Sequence, residues 1–196
     1  KVLFSLIDTE IYNVKSGKSG YIKVKMNSIT SYNMVDKLYE ASNAGVKIQM
    51  IVRGICCLIP GIQGMSENIE VISIVDKFLE HSRLYVFGNN DNPKVYISSA
   101  DWMTRNIENR VEVSCPIYDE NIKKELLDTF EISWSDNVKA RNLNESQNNE
   151  YRKNNKEEIK NTKQKIGHTT GAQWGHIFCC VCVFVLVWDQ QKSEAL

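Results

Sequence analysis

The sequence predicts an α/β fold in which helices are layered on a mixed sheet. Two observations carry this. The chain up to Val52 reads helix, strand, helix, strand, and a helical connection between strands favours parallel pairing with a right-handed crossover. Further on, two strand-like runs are joined by the turn-rich stretch Gly88-Asn89-Asn90-Asp91-Asn92-Pro93, which predicts an antiparallel hairpin with a longer loop.

The elements follow in order. Leu3, Leu6, Ile7, Ile11 and Val14 recur at helical spacing, and Gly17 and Gly20 end that helix. Tyr21 to Met26 alternates apolar and polar residues, as a half-buried strand does, and Asn27 to Ser31 is a polar loop. Met34, Leu38 and Ala41 mark a second helix stopped at Gly45. Lys47 to Val52 is a buried strand, and Ile69 to Val75 is another, after the breaks at Pro60, Gly61 and Gly64. The hairpin strands are Ser82 to Phe87 and Lys94 to Ser98. Arg110 to Pro116 is a further strand, and Asp119 starts a last helix with Ile122, Leu126, Leu127 and Phe130 on its buried side.

After Arg141 the composition changes. Residues 142–166 are rich in Asn, Lys, Glu and Gln and read as a solvated helix or a disordered stretch. Residues 167–196 change again, to a Cys/Val/Phe run related to nothing before it; a frameshifted or otherwise non-native C-terminus is one reading. The apolar stretch Ile177 to Trp188 is shorter than the roughly 20 residues a membrane-spanning helix needs. The chain opens on Lys1, not Met, and reads as an excised segment of something longer.

Lys+Arg and Asp+Glu balance at 24 each, so a generic nucleic-acid or membrane-surface binder is not expected, and any polyanion site must be local. The cysteines have no zinc-site spacing and read as reduced cytosolic thiols. No glycine-rich stretch carries the Lys-Ser or Lys-Thr of a P-loop.

Three places could carry chemistry. Arg53 follows the buried strand ending at Val52, and ligands of open α/β sheets collect beyond the carboxyl ends of strands. Its guanidinium suits phosphate oxygens, and Gly54 after it would let a ligand approach the backbone; an ordinary surface arginine is the alternative. His81 enters a strand, is the natural proton-transfer group near neutral pH, and shares a face with Arg83 if the segment is extended; a structural histidine is the alternative. Ser98 and Ser99 could bond phosphate or orient an imidazole, or simply make a turn in which Trp102 anchors the core. Arg105 and Arg110 are either further clamps or solvated charge.

Five stretches taken together resemble one family: Val52-Arg53-Gly54-Ile55-Cys56-Cys57-Leu58-Ile59-Pro60-Gly61; Ser66-Glu67-Asn68-Ile69 running on to Val75; Phe78-Leu79-Glu80-His81-Ser82-Arg83; Val95 to Asn106, with Ser98-Ser99-Ala100-Asp101-Trp102 inside it; and Asp136-Asn137-Val138-Lys139-Ala140-Arg141. They are similar to the C-terminal domain of histidine-phosphorylating polyphosphate kinases, over residues 1–141. The resemblance implies a phospholipase D-like layered domain, the second of two such halves. It implies a cytoplasmic, homo-oligomeric parent enzyme, with at most a membrane association, that moves the terminal phosphate of ATP reversibly onto polyphosphate. The partners are then ATP, ADP, polyphosphate and the preceding domains, with no nucleic acid. The phosphohistidine and the magnesium-binding residues fall in those preceding domains, so this stretch alone is expected to be inactive. By the match, Arg53 and His81 face the nucleotide and phosphate chain, with His81 as proton donor or charge stabiliser; Arg83 and Arg110 are weaker candidates. The phospholipase D signature is His-x-Lys with a later Asp. Here His81-Ser82-Arg83 has Arg for Lys and no Asp at the expected place, which argues against phosphodiester hydrolysis. A phosphodiesterase half and a non-catalytic polyphosphate-binding module remain the alternatives.

Overall fold

The computed structural model describes residues 2–76 and 80–152. A seven-stranded mixed sheet forms the centre, in the order β6-β5-β4-β1-β2-β3-β7. The strands are β1 (Tyr21–Met26), β2 (Lys47–Val52), β3 (Ile69–Ile74), β4 (Leu84–Phe87), β5 (Lys94–Ser98), β6 (Ser114–Ile117) and β7 (Ala140–Leu143). The helices are α1 (Val2–Lys15), α2 (Tyr32–Asn43) and α3 (Glu120–Trp134). β1 pairs with β2 in parallel, as the α2 crossover between them requires, and β2 pairs with β3 in parallel across the helix-free connection of residues 53–68. β4 turns back along β1, and β4–β5 is the expected antiparallel hairpin.

The pleat of β1 explains the layering. Ile22, Val24 and Met26 point to one face and join Leu6, Ile7 and Ile11 of α1 and Met34, Val35, Leu38 and Ala41 of α2 in one core. Lys23 points the other way, where it pairs with Glu131 and lies over the Phe130 ring of α3. So α1 and α2 cover one side of the sheet and α3 the other, a three-layer arrangement that matches the α/β class read from the sequence.

The helix ends behave as the sequence predicts. Gly45 sits at φ +94° after α2; its N–H bonds the Ser42 carbonyl, and the Val46 N–H bonds that of Ala41. These two bonds satisfy the orphan carbonyls in a turn that favours glycine. The Asp119 carboxylate accepts from the N–H groups of Asn121 (2.9 Å) and Ile122 (3.0 Å) and caps α3.

Several details differ from the sequence reading. Ile122, expected on the buried side of α3, is exposed in its first turn, while Leu126 and Phe130 are buried as expected. β4 begins at Leu84, two residues after Ser82, because Arg83 is turned aside toward Asp101. β6 begins at Ser114. The stretch before it shares one backbone bond with the end of β5, from the Ser99 N–H to the Val113 carbonyl, and is otherwise held by side chains: the Val113 N–H donates to Ser99 Oγ, and Glu112 accepts from Ser99 and Asn106. Residues Arg105–Asn109 form a π-helical turn that no sequence signal announced. Finally, Asn142 and Leu143, placed in the polar segment after Arg141, belong to β7, which pairs antiparallel with β3. Arg141 stacks on Tyr151, and the Arg152 N–H bonds the Ala140 carbonyl, so the fold runs past the compositional break. The expectations for residues 153–196, the Cys/Val/Phe run included, lie outside the described residues.

Candidate functional site

One end of the sheet gathers the candidate residues. The carboxyl ends of β1, β2 and β5 and the amino end of β4 meet there, because β4 runs antiparallel to β1 and Lys25 pairs with Leu84. Asn27, Arg53 and Asp101 lie beyond the first three, and His81 and Arg83 lead into the fourth. An open α/β sheet offers its ligand cleft at such an edge.

Arg53 and His81 come together. The Arg53 Nη2 lies 3.3 Å from His81 Nδ1. A guanidinium has donors only, so Nδ1 is the acceptor and the neutral imidazole carries its hydrogen on Nε2. His81 is exposed, which leaves that Nε2–H as a donor toward solvent. Arg53 is itself anchored: its Nε–H donates to Asn27 Oδ1 (2.7 Å) and to the Glu80 carbonyl (2.8 Å). The Glu80 carboxylate in turn pairs with Lys25 on β1.

Arg83 has a different engagement. Its Nε and Nη2 fork onto the two oxygens of Asp101, each at 3.1 Å, and its Nη1 donates to the His81 carbonyl at 3.0 Å. Residues 81–83 precede the strand, and Arg83 engages Asp101 and the His81 carbonyl, so it braces the His81 backbone, and none of these contacts involves the imidazole. Asp101 is 6% exposed and also accepts from the N–H groups of Asn27 (2.8 Å) and Ser28 (3.3 Å). Burial pushes its carboxyl up, but the Arg83 hydrogen bond and charge, together with the two backbone donors, hold it below the usual carboxylate range.

The other candidates sit elsewhere. Ser98 Oγ bonds the Val113 carbonyl (3.1 Å) and Ser114 Oγ (2.8 Å), and Ser99 bonds Glu112, so both serines tie β5 to the β6 approach and neither reaches His81. Trp102 is fully buried, with its ring centroid 5.3 Å from that of Tyr85. Trp102 thus anchors the core, as the alternative reading of this segment has it, after a bend at Ser99. Arg105 and Arg110 are exposed around the π-helical turn, outside the hydrogen-bonded group at the strand ends.

Gly54 acts differently from the sequence expectation. A Cβ there would lie 2.8 Å from both the Asn27 carbonyl oxygen and Ser28 Oγ. The missing side chain thus makes room for the β1 terminus, whose Asn27 carbonyl accepts from the Gly54 N–H at 2.8 Å. Asn27 and Asp101 are the residues sequence reasoning missed. Asn27 stands one residue past β1, in the position Arg53 holds after β2, and that symmetry is the signal that could have found it. Asp101 gave no signal of its own, since its partner lies 18 residues back in the chain.

Among the described residues no group of three or more His, Cys, Asp or Glu side chains could hold a metal ion, and no helix is long and apolar enough to cross a membrane. Comparison with known proteins agrees with the geometry. Residues 1–164 match the family described as polyphosphate kinase C-terminal domain 2. The polyphosphate kinase of Vibrio vulnificus (strain YJ016) is 50% identical over 149 residues, 76% of this chain and 21% of the relative. That of Escherichia coli (strain K12) is 46% identical over 151 residues, 77% of this chain and 22% of the relative. The crystal structure of polyphosphate kinase from Porphyromonas gingivalis superposes with a TM-score of 0.81 at 46% identity, over 84% of this chain and 25% of that one. The chain thus spans about a fifth of the length of the curated relatives it matches. With the family matched over most of its length and the sheet superposing on a solved member, the chain belongs to the polyphosphate kinase family, in the region of its C-terminal domain.

Proposed function

We propose that this domain supplies the phosphate-facing half of an enzyme that moves the terminal phosphate of ATP reversibly onto inorganic polyphosphate. The single observation that supports this most is the Arg53–His81 pair: a fixed guanidinium and an outward Nε2–H at the carboxyl edge of a parallel strand pair. Phosphoryl transfer spreads negative charge over the phosphoryl oxygens, so its catalysis rests on positioned donors. Arg53 clamps phosphate, and His81 donates from Nε2 to an oxygen of the chain. Arg83, which the Asp101 fork engages, braces the site, and Arg110 lies to one side of it. Magnesium, where the reaction uses it, neutralises phosphate charge. By the family likeness its ligands belong to parts of the enzyme outside this chain.

A phosphodiesterase reading needs a His-x-Lys pair with the cation turned to substrate. Arg83, which stands in that place, instead makes a two-pronged contact with a buried carboxylate. Incubating the chain with ATP, with polyphosphate and ADP, and with a phosphodiester substrate separates the readings. The proposal expects no turnover of any of the three by the isolated chain. It expects ATP-dependent chain growth when the same residues sit in an enzyme of the relatives' length. Phosphodiester hydrolysis by the chain, or no chain growth in the longer enzyme, would overturn it.

A further inference from the structure

The strand-end contacts close into a ring. His81 receives Arg53 on its imidazole and Arg83 on its carbonyl. Arg83 forks onto Asp101, Asp101 accepts from Asn27, and Asn27 accepts from Arg53. Both ends of His81 are thus held by one circuit, and Asn27 is the member that joins its two halves. Resting on the phosphate-site reading above, we propose that Asn27 is a positioning residue for phosphoryl transfer, holding Arg53, and through it the His81 imidazole, in the orientation that meets the phosphate chain.

The chemistry of the two neighbours makes the residue type specific. Arg53 offers only donors and the Asp101 carboxylate only acceptors. A carboxamide presents one of each: Oδ1 takes the Arg53 Nε–H at 2.7 Å while Nδ2 donates to Asp101 Oδ2 at 3.3 Å. Aspartate would keep the first contact and set a second carboxylate against Asp101. Leucine, of similar size, would lose both. Asn27 is only 8% exposed, its N–H is tied to Asp101 at 2.8 Å and its carbonyl to Gly54 at 2.8 Å, so the side chain starts from a fixed backbone. The contacts to Asn27, Glu80 and His81 use the Nε edge and one Nη2 hydrogen of Arg53. Nη1 stands outside them and is the edge a phosphate would meet.

The test follows the Arg53 Nε–H by ¹⁵N NMR in this chain, with the signal assigned by its loss in Arg53→Lys, alongside tripolyphosphate titration at low salt and a melting curve for each variant. Wild type should show a resolved, slowly exchanging Nε–H. Asn27→Leu, which leaves only the Glu80 carbonyl on this hydrogen, should speed its exchange about tenfold and weaken tripolyphosphate binding about fivefold, as loss of one hydrogen bond to a charged group allows. Asn27→Asp should keep Nε–H exchange within about twofold of wild type, because the acceptor survives. A folded Asn27→Leu with unchanged exchange and unchanged binding overturns the proposal. If Asn27→Leu does not melt cooperatively, Asn27→Asp decides: preserved protection supports the assignment, and exchange as fast as that of an exposed arginine overturns it. Failure of the phosphate reading looks different. Wild type would then not bind tripolyphosphate, or would bind it regardless of Arg53→Ala, while the Nε–H signal would still report whether Asn27 holds Arg53.

Discussion

Arg53→Ala and His81→Ala, each placed in an enzyme of the relatives' full length, are expected to lower the rate of polyphosphate synthesis about 100-fold or more, the scale of losing one positioned donor or proton-transfer group. Stability should barely respond for His81. It is exposed, and among the described residues its imidazole is approached by Arg53 at 3.3 Å, so the change belongs with surface substitutions of about 0.5 kcal/mol. Arg53→Ala removes two further contacts, to Asn27 and Glu80, and should destabilise somewhat more while leaving the sheet intact. Initial rates with ATP, set beside melting curves of the same preparations, check both. Near-normal turnover in either variant removes that residue from the site.

Asp101→Ala is expected to have the largest effect on stability, about 3–5 kcal/mol, the range for breaking a buried ion pair from one side. Five hydrogen bonds from Asn27, Ser28 and Arg83 converge on this carboxylate. Removing it leaves the half-buried Arg83 guanidinium and the end of β1 without their acceptor. The pH dependence has a definite sign. The folded carboxyl titrates below its ordinary value, so the unfolded chain takes up the proton first as pH falls. The stabilisation is complete above the unfolded pKa and is lost as pH drops through the lower, folded one. Buried Glu10 runs the other way. Burial pushes its carboxyl up despite hydrogen bonds from the Asn89 and Tyr21 N–H groups, so its contribution is present at low pH and fades as pH rises through the folded pKa. Urea midpoints of wild type and Asp101→Ala between acid and neutral pH measure the difference, which should shrink toward the acid end.

The sheet was most legible where its own pattern was strongest. Tyr21–Met26 alternates and became β1, Lys47–Val52, apolar at Ile48 and from Met50 to Val52, became β2, and the Gly88–Pro93 turn residues marked the hairpin. It was least legible at the edges. In β7, Arg141 and Asn142 carry no apolar alternation: the strand lies at the margin of the sheet, with β3 on one side and only residues 150–152 bonded to the other, so its polar residues need not be buried. The alternating Val111 and Val113 suggested a strand that begins too early. Val111 is 79% exposed, and the segment is fixed by Ser99 and Glu112 instead. The site divides in the same way. Arg53 could be placed from its position after a buried strand, and His81 from its chemistry and the family likeness. The ring that holds them joins residues from Asn27 to Asp101, 74 positions apart, through a sheet order in which β4 lies beside β1. Local sequence carries no trace of such a pairing, and so Arg83 looked like a phosphate ligand until its carboxylate partner was in view.

The Arg53–His81 pair at this sheet edge is the proposed binding site for the phosphate chain. Titration of labelled polyphosphate onto the isolated chain at two salt concentrations, for wild type and for Arg53→Ala, tests it most directly. A few charge-assisted contacts to a polyanion at an open site are modest and screened over about 10 Å at 0.1 M salt. Wild type should therefore bind weakly at low salt and lose affinity as salt rises, and Arg53→Ala should bind more weakly still at the lower concentration. Binding that is insensitive both to salt and to the loss of Arg53 would contradict the assignment of this edge as the phosphate site.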